Sequence, residues 1–246
     1  MNSSFATWLP AYLAEELRPE RVNEWVERTR CAIVQALPQI QENPDLARYV
    51  DAAIREHWLA FLGDFAHPEP QFHLVTAGKQ FAREMAVHQF PLEAVVKVYR
   101  AAQQESWNYV TGVVGSIPAQ QADPTEVLIY FWTRAGTWID SSIGESIDIY
   151  HAERARALAS ASAQRYELVR ELLAGSEPDP KRISGSLGGY PISSVNTALI
   201  LETEDPEAIA DLDKFAKACS RAMGGSKFLL VPPGGRTLWA WVANRK

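Results

Sequence analysis

Phe81-Ala82-Arg83-Glu84-Met85-Ala86-Val87-His88-Gln89-Phe90-Pro91-Leu92-Glu93-Ala94-Val95-Val96-Lys97-Val98-Tyr99-Arg100 holds one helix end and one helix beginning. His88 stands at the end, where a cationic ring is favoured by the helix dipole. Pro91 stands at the beginning, where a first turn needs no amide hydrogen, and it predicts a helix over Leu92 to Val114. Two other starts are written the same way. Asn43-Pro44 opens a segment through Phe65, and Asp123-Pro124 opens another with Glu126 in capping-box register. Apolar residues recur at three and four, the helical period, from the start to about Ala174. The breaks, His67-Pro68-Glu69-Pro70 and Gly115 to Asp123, are short. Short connections make antiparallel neighbours, so the pattern predicts a bundle of about six helices.

The helix opened by Pro124 meets no clear stop until Gly175. It passes through Tyr130, Trp138, Ile143, Ile147, Tyr150, Leu158, Leu168 and Leu172, with an alanine-rich centre from Ala155 to Ala163. Either it breaks near Gly144 or it continues as a stalk. Its heptad fit is imperfect, because Arg154 falls where an apolar residue is wanted.

After Gly175 the texture changes. Ser176-Glu177-Pro178-Asp179-Pro180 is a linker composition. Thr197 to Leu201 reads as a buried strand, and Asp205-Pro206 caps a helix to about Met223. Lys227 to Val231 and Leu238 to Val242 read as two further strands. Pro232-Pro233-Gly234-Gly235-Arg236 between them predicts a hairpin. The expected fold is therefore mainly α: a helical bundle over 1–174, then a small, incomplete α/β module over 175–246. Three strands and one helix do not cover both faces of a sheet. The expectation is a fragment, or a module completed by a second copy.

The remaining composition narrows the function classes. The formal charge is −6 and no basic stripe stands out, so these residues lack the footprint that displaces counterions from duplex phosphates. Cys31 and Cys219 are far apart in no paired spacing, which suits a reducing compartment and opposes a disulfide frame. The first residues have no basic start and acquire Glu15 and Glu16 early, so they do not read as a signal peptide. No stretch approaches the roughly 18 apolar residues of a membrane span. A soluble cytoplasmic protein is expected.

The stretch Phe81 to Arg100 resembles the helical amino-terminal domain of PucR-type (CdaR-like) regulators. There an ARELA-x-x-G-x-PL-x-x-LL-x-x-YR pattern leads into a helix with an aromatic, as Trp107 does here. That domain is similar to the non-haem globin-like domain of the stressosome RsbR proteins. Glu171 to Gly175, then Leu187-Gly188-Gly189-Tyr190, resembles the start of the GGDEF-like domain of the same regulators. The resemblance implies a homodimeric sensor that drives a GGDEF-like module and then a carboxy-terminal helix-turn-helix. The helix-turn-helix is not among these residues, so DNA contact is implied only through a longer protein.

Several residues invite chemical readings. Diguanylate cyclases hold metal through carboxylates at the strand–strand turn, but Gly234-Gly235-Arg236-Thr237-Leu238 has none, so a structural hairpin is expected. His57, His67, His73, His88 and His151 form no i, i+4 pair and have no nearby Cys, so neither metal nor haem is expected. Ser184-Gly185-Ser186 and Ser193-Ser194 have no glycine-flanked elbow. Tyr99, Arg100, Gln103 and Trp107 share one helix and are the candidate ligand-binding residues, suited to a small acidic or amide-bearing effector. The plainer reading makes Tyr99 and Trp107 core, with Arg100 paired to Glu84, Glu93 or Glu105. The expected function is the sensory and dimerisation region of a transcription regulator, without catalysis or cofactor. The alternative is a stressosome-like interaction scaffold.

Overall fold

The computed structural model describes residues 3–69, 72–118, 121–225 and 227–244. Pro70, in the first expected break, and Ala119 and Gln120, in the second, lie outside them. The chain divides into two compact units, Met1–Ala155 and Arg156–Lys246. Mainly helical with a small antiparallel sheet, it has the expected class.

The first unit contains α1 (Ser3–Glu16), α2 (Pro19–Ala36), α3 (Pro44–Phe65), α4 (Thr76–Val87), α5 (Leu92–Ser116) and the first part of α6 (Pro124–Leu173). The proline starts fall where the sequence puts them. Asn43 Oδ1 accepts from the Leu46 amide at 3.1 Å, and Asp123 Oδ1 accepts from the Thr125 amide at 2.8 Å. Each satisfies a donor that the first turn leaves free. Helix α4 has no cap of its own, since Val75 precedes it. Instead Glu56 on α3 accepts from the Ala77 amide at 2.7 Å. Glu145 on α6 accepts from the Leu74 amide at 3.0 Å. Two carboxylates at the positive end of α4 favour its dipole and tie it to its neighbours.

Helix α4 ends in a Schellman turn. The Gln89 amide donates to Ala86 O at 3.1 Å and the Phe90 amide to Met85 O at 3.0 Å. Gln89 takes φ 59°, the left-handed conformation that glycine adopts freely. It stands at the position of the glycine in the ARELA-x-x-G pattern. Helix α3 packs against α2 and α4, and α2 packs against α5. The core runs along the α3 stripe Leu46, Val50, Ile54, Trp58, Phe61, Leu62 and Phe65. It is strongly aromatic: Trp25 stacks on Trp58 with centroids 4.3 Å apart, and Phe61 meets Phe131 at 5.5 Å and Trp138 at 5.7 Å.

Helix α6 does not break at Gly144. It runs to Leu173 and stops at Gly175, whose φ is 84°. Ala155, Ala157, Leu158, Ala159, Ser160 and Ala161 are exposed, so intrinsic alanine propensity rather than packing carries that stretch.

The second unit begins with the rest of α6 and adds α7 (Pro180–Ser186), β1 (Asn196–Glu202), α8 (Ile209–Ala222), β2 (Lys227–Gly234) and β3 (Thr237–Ala243). The sheet is antiparallel, in the order β1-β3-β2. The hairpin forms as expected, but β2 continues through Pro232-Pro233 to Gly234, with a register shift between Val231 and Gly234. One face packs on α8 through Leu238, Ala240 and Ala216. The other face, through Leu229, Val231 and Ala243, packs on Leu168 and Val169 of α6 and on Leu187 and Tyr190. Both faces are therefore covered, which corrects the expectation of one helix for two faces. The reason is that the last turns of α6 belong with the sheet, so the compact division falls after Ala155 rather than at Ala174. Coverage thins at the β1 edge, where Ile200 is 69% exposed.

Candidate functional site

The helices of the first unit line a half-open cavity of about 100 Å³. Helix α2 supplies Trp25, Thr29 and Ile33, and α3 supplies Val50, Ile54, His57, Trp58 and Phe61. Phe81 comes from α4, Val98, Tyr99 and Ser106 from α5, and Phe131, Ala135 and Trp138 from α6. Each helix turns its apolar stripe inward, and the broad aromatic rings leave a gap that they do not fill. A space of this size holds roughly three water molecules at their liquid share. Among the described residues, the wall carries no Asp, Glu, Lys or Arg.

Polar atoms on this wall fall into two groups. Tyr99 Oη and Ser146 Oγ share a hydrogen bond of 2.9 Å, and Ser106 Oγ donates to Ala102 O at 2.9 Å. Burial, opposed in part by the Ser146 hydrogen bond, pushes the Tyr99 hydroxyl up to about 12. In the second group, Thr29 Oγ1, Trp58 Nε1 and His57 Nε2 are buried without a protein partner. Such groups are uncommon in folded interiors, because each forfeits its hydration.

His57 is held firmly. The Trp138 indole N–H donates to His57 Nδ1 at 2.9 Å, and Tyr99 meets the ring edge-on at 5.9 Å. Burial lowers the imidazole to about 4, so the ring is neutral at ordinary pH. Its Nε2 faces Gly78 on α4: a Cβ there would lie 3.0 Å from Nε2 and 2.7 Å from Leu74 Cδ1. A Cβ at 78 would therefore make Leu74 or His57 shift.

The four candidate residues are not brought together. Tyr99 faces the cavity. Arg100 points outward and donates to Gln103 Oε1 at 2.6 Å, while Glu105 pairs instead with Arg28 at 2.6 Å. Trp107 lies on the surface, edge-on to Trp132 at 4.9 Å. With Leu128 and Ile129 these two indoles line a shallow hollow. Trp107 is 36% exposed and Trp132 37%, so Trp107 is not core. The sequence reading weighed His57 only as a metal or haem ligand and did not single out Thr29 or Trp58. The available signal was the place of His57 within the apolar stripe Val50, Ile54, Phe61, where a solvated histidine does not belong.

A separate buried charge lies at the join of α1, α2 and α5. Glu16 is 3% exposed and accepts hydrogen bonds from Tyr109 Oη and, at 3.2 Å, from Arg21. Arg21 also donates to Tyr109 Oη at 2.8 Å, closing the triangle.

Among the described residues, no helix is long and apolar enough to cross a membrane. No curated protein and no solved structure matches the chain. Residues 19–165, well over half of the sequence and the whole wall of the cavity, match the family model described as the RsbT co-antagonist protein rsbRD N-terminal domain. The helical unit, expected from Phe81 to Arg100 to be RsbR-like, is thus found to be so: the chain belongs to the RsbT co-antagonist rsbRD N-terminal domain family.

Proposed function

We propose that this chain is the sensory region of a homodimeric bacterial signalling protein of the PucR type, in which the helical unit binds a small effector in its aromatic cavity. It acts without catalysis. The effector shifts the population of two arrangements of α6, and α6 passes the difference through a GGDEF-like module to a DNA-binding part outside these residues. The observation that supports this reading most is the double use of α6. Phe131 and Trp138 form part of the cavity wall, and Leu168 and Val169 of the same helix form part of the core beneath the sheet.

Native mass spectrometry of the full chain, purified gently from cells, tests the reading. The expected result is a dimer with one small-molecule adduct per chain. A monomer without adduct overturns it.

A second reading is a stressosome-like scaffold that recruits partner proteins. The family description, RsbT co-antagonist, supports it, and so does the exposed Trp107–Trp132 pair beside Ile129, which is 61% exposed. Paired surface indoles are a common anchor for protein partners. A dimer without adduct favours this second reading.

A further inference from the structure

We propose that the cavity takes an uncharged, single-ring organic molecule that carries hydrogen-bond acceptors, with Trp58 Nε1 and Thr29 Oγ1 as the donors that hold it. The proposal rests on reading the cavity as the sensor's pocket and adds the chemical class of its guest. Three observations carry it.

The first is size. At about 100 Å³ the space is smaller than the roughly 150 Å³ cavity that encloses benzene. With modest side-chain adjustment it admits one ring.

The second is the wall. It is overwhelmingly aromatic and aliphatic and holds no ionised side chain. A charged guest would be stripped of water with no counter-charge to receive it. The acidic effector suggested by Arg100 finds no partner here, because Arg100 points away from the cavity.

The third is the sense of the unpartnered atoms. An indole N–H only donates, so Trp58 Nε1 asks for an acceptor. Thr29 Oγ1 is likewise without partner, and its hydroxyl supplies a second donor beside its own acceptor capacity. His57 Nε2, also a donor, is turned to Gly78 and so adds no acceptor. A carbonyl oxygen or an unprotonated ring nitrogen accepts from Trp58 and Thr29 while its ring packs among Trp25, Phe61 and Trp138.

The test uses the full chain and the near-isosteric probes pyrazine and benzene, which differ in the two ring nitrogens. Binding is read from the indole N–H resonances in a nitrogen–proton correlation spectrum, with the Trp58 signal assigned by its loss in Trp58→Phe. Pyrazine is expected to bind at least about tenfold more tightly than benzene, the ratio that one recovered hydrogen bond supplies, and to move the Trp58 resonance. N-methylpyridinium is expected not to enter. Thr29→Val, which keeps the shape of the side chain, is expected to bring the pyrazine-to-benzene ratio towards one. Equal binding of benzene and pyrazine, or equal binding of N-methylpyridinium, overturns the proposed class while leaving the pocket reading in place. If neither ring enters and xenon produces no shift, the pocket reading falls as well.

Discussion

Trp138 donates its indole hydrogen to His57 Nδ1 across 2.9 Å, which fixes the imidazole proton on Nε2 and keeps the ring from gaining a second one. Burial lowers the folded-state value to about 4, from an unfolded value near 6.5. Above pH 6.5 the ring is neutral in both states and contributes no pH dependence. Between pH 6.5 and 4 only the unfolded chain takes up the proton, so stability falls with pH across that window and levels off below it. The loss attributable to this ring is about 3 kcal/mol. Urea denaturation followed by tryptophan fluorescence at pH 7 and pH 4 checks it. His57→Gln, which can still accept from Trp138, is expected to show a shallower decline than the wild type, and an identical decline in both proteins sinks the assignment.

Gly78→Ala tests the close approach of α4 to α3. The added methyl meets Leu74 Cδ1 at 2.7 Å and His57 Nε2 at 3.0 Å, so one of them must move. Overpacking of this kind costs about 2 kcal/mol. Thermal unfolding gives the value, and a melting temperature unchanged from the wild type shows that the contact yields freely.

Gln89→Gly runs the other way. A side chain held at φ 59° in the Schellman turn is strained by roughly 1 kcal/mol, and glycine relieves it. The variant is expected to raise the urea midpoint at constant m. Gln89→Val, with a branched Cβ in the same conformation, is expected to lower it. The two shifts having the same sign contradicts the strain argument.

Arg21→Ala isolates the buried carboxylate of Glu16. Glu16 keeps Tyr109 but loses its counter-charge, and since the Arg21 side chain is one-third exposed, the expected loss is about 2 kcal/mol. Arg18→Ala breaks a pair with Glu15 in which both side chains are exposed, and is expected to change stability by less than about 0.5 kcal/mol. Denaturation of the two variants side by side decides whether the triangle at Glu16 differs from an ordinary surface pair.

The fold was readable where backbone chemistry is local. Pro44, Leu92 and Pro124 begin helices because the neighbouring Asn43, Pro91 and Asp123 suit the first turn, whatever lies across the core. The unbroken passage of α6 through Gly144 was not readable. A single helical glycine is tolerated when its neighbours hold the helix, and here the Leu74 amide bonds Glu145 and Tyr99 bonds Ser146, the two residues that follow that position. The site was half legible. Tyr99 lies on the apolar face of α5 and the spacing puts it inward. Spacing alone also makes Arg100, Gln103 and Trp107 neighbours, but which neighbour looks inward is set by α2 and α3, and those contacts are absent from any one-helix pattern. Thr29 and Trp58 escaped notice, and His57 was weighed only as a metal or haem ligand, because their significance lies in lacking partners, a property that appears only once every nearby atom has a place.

Each added residue in an α-helix advances its azimuth by about 100°. In the run from Ala155 to Ala161 every side chain is solvent-exposed, so core packing scarcely opposes an insertion there. What it alters is the rotation about the helix axis between the residues before the insertion and those after it. One extra residue advances that rotation by more than a quarter-turn, whereas seven restore it to within about 20°. Length variation between relatives in this run is therefore expected in steps near seven or eleven residues, even where the amino acids themselves drift. The alanines there are replaceable, and their number is what the helix has to inherit.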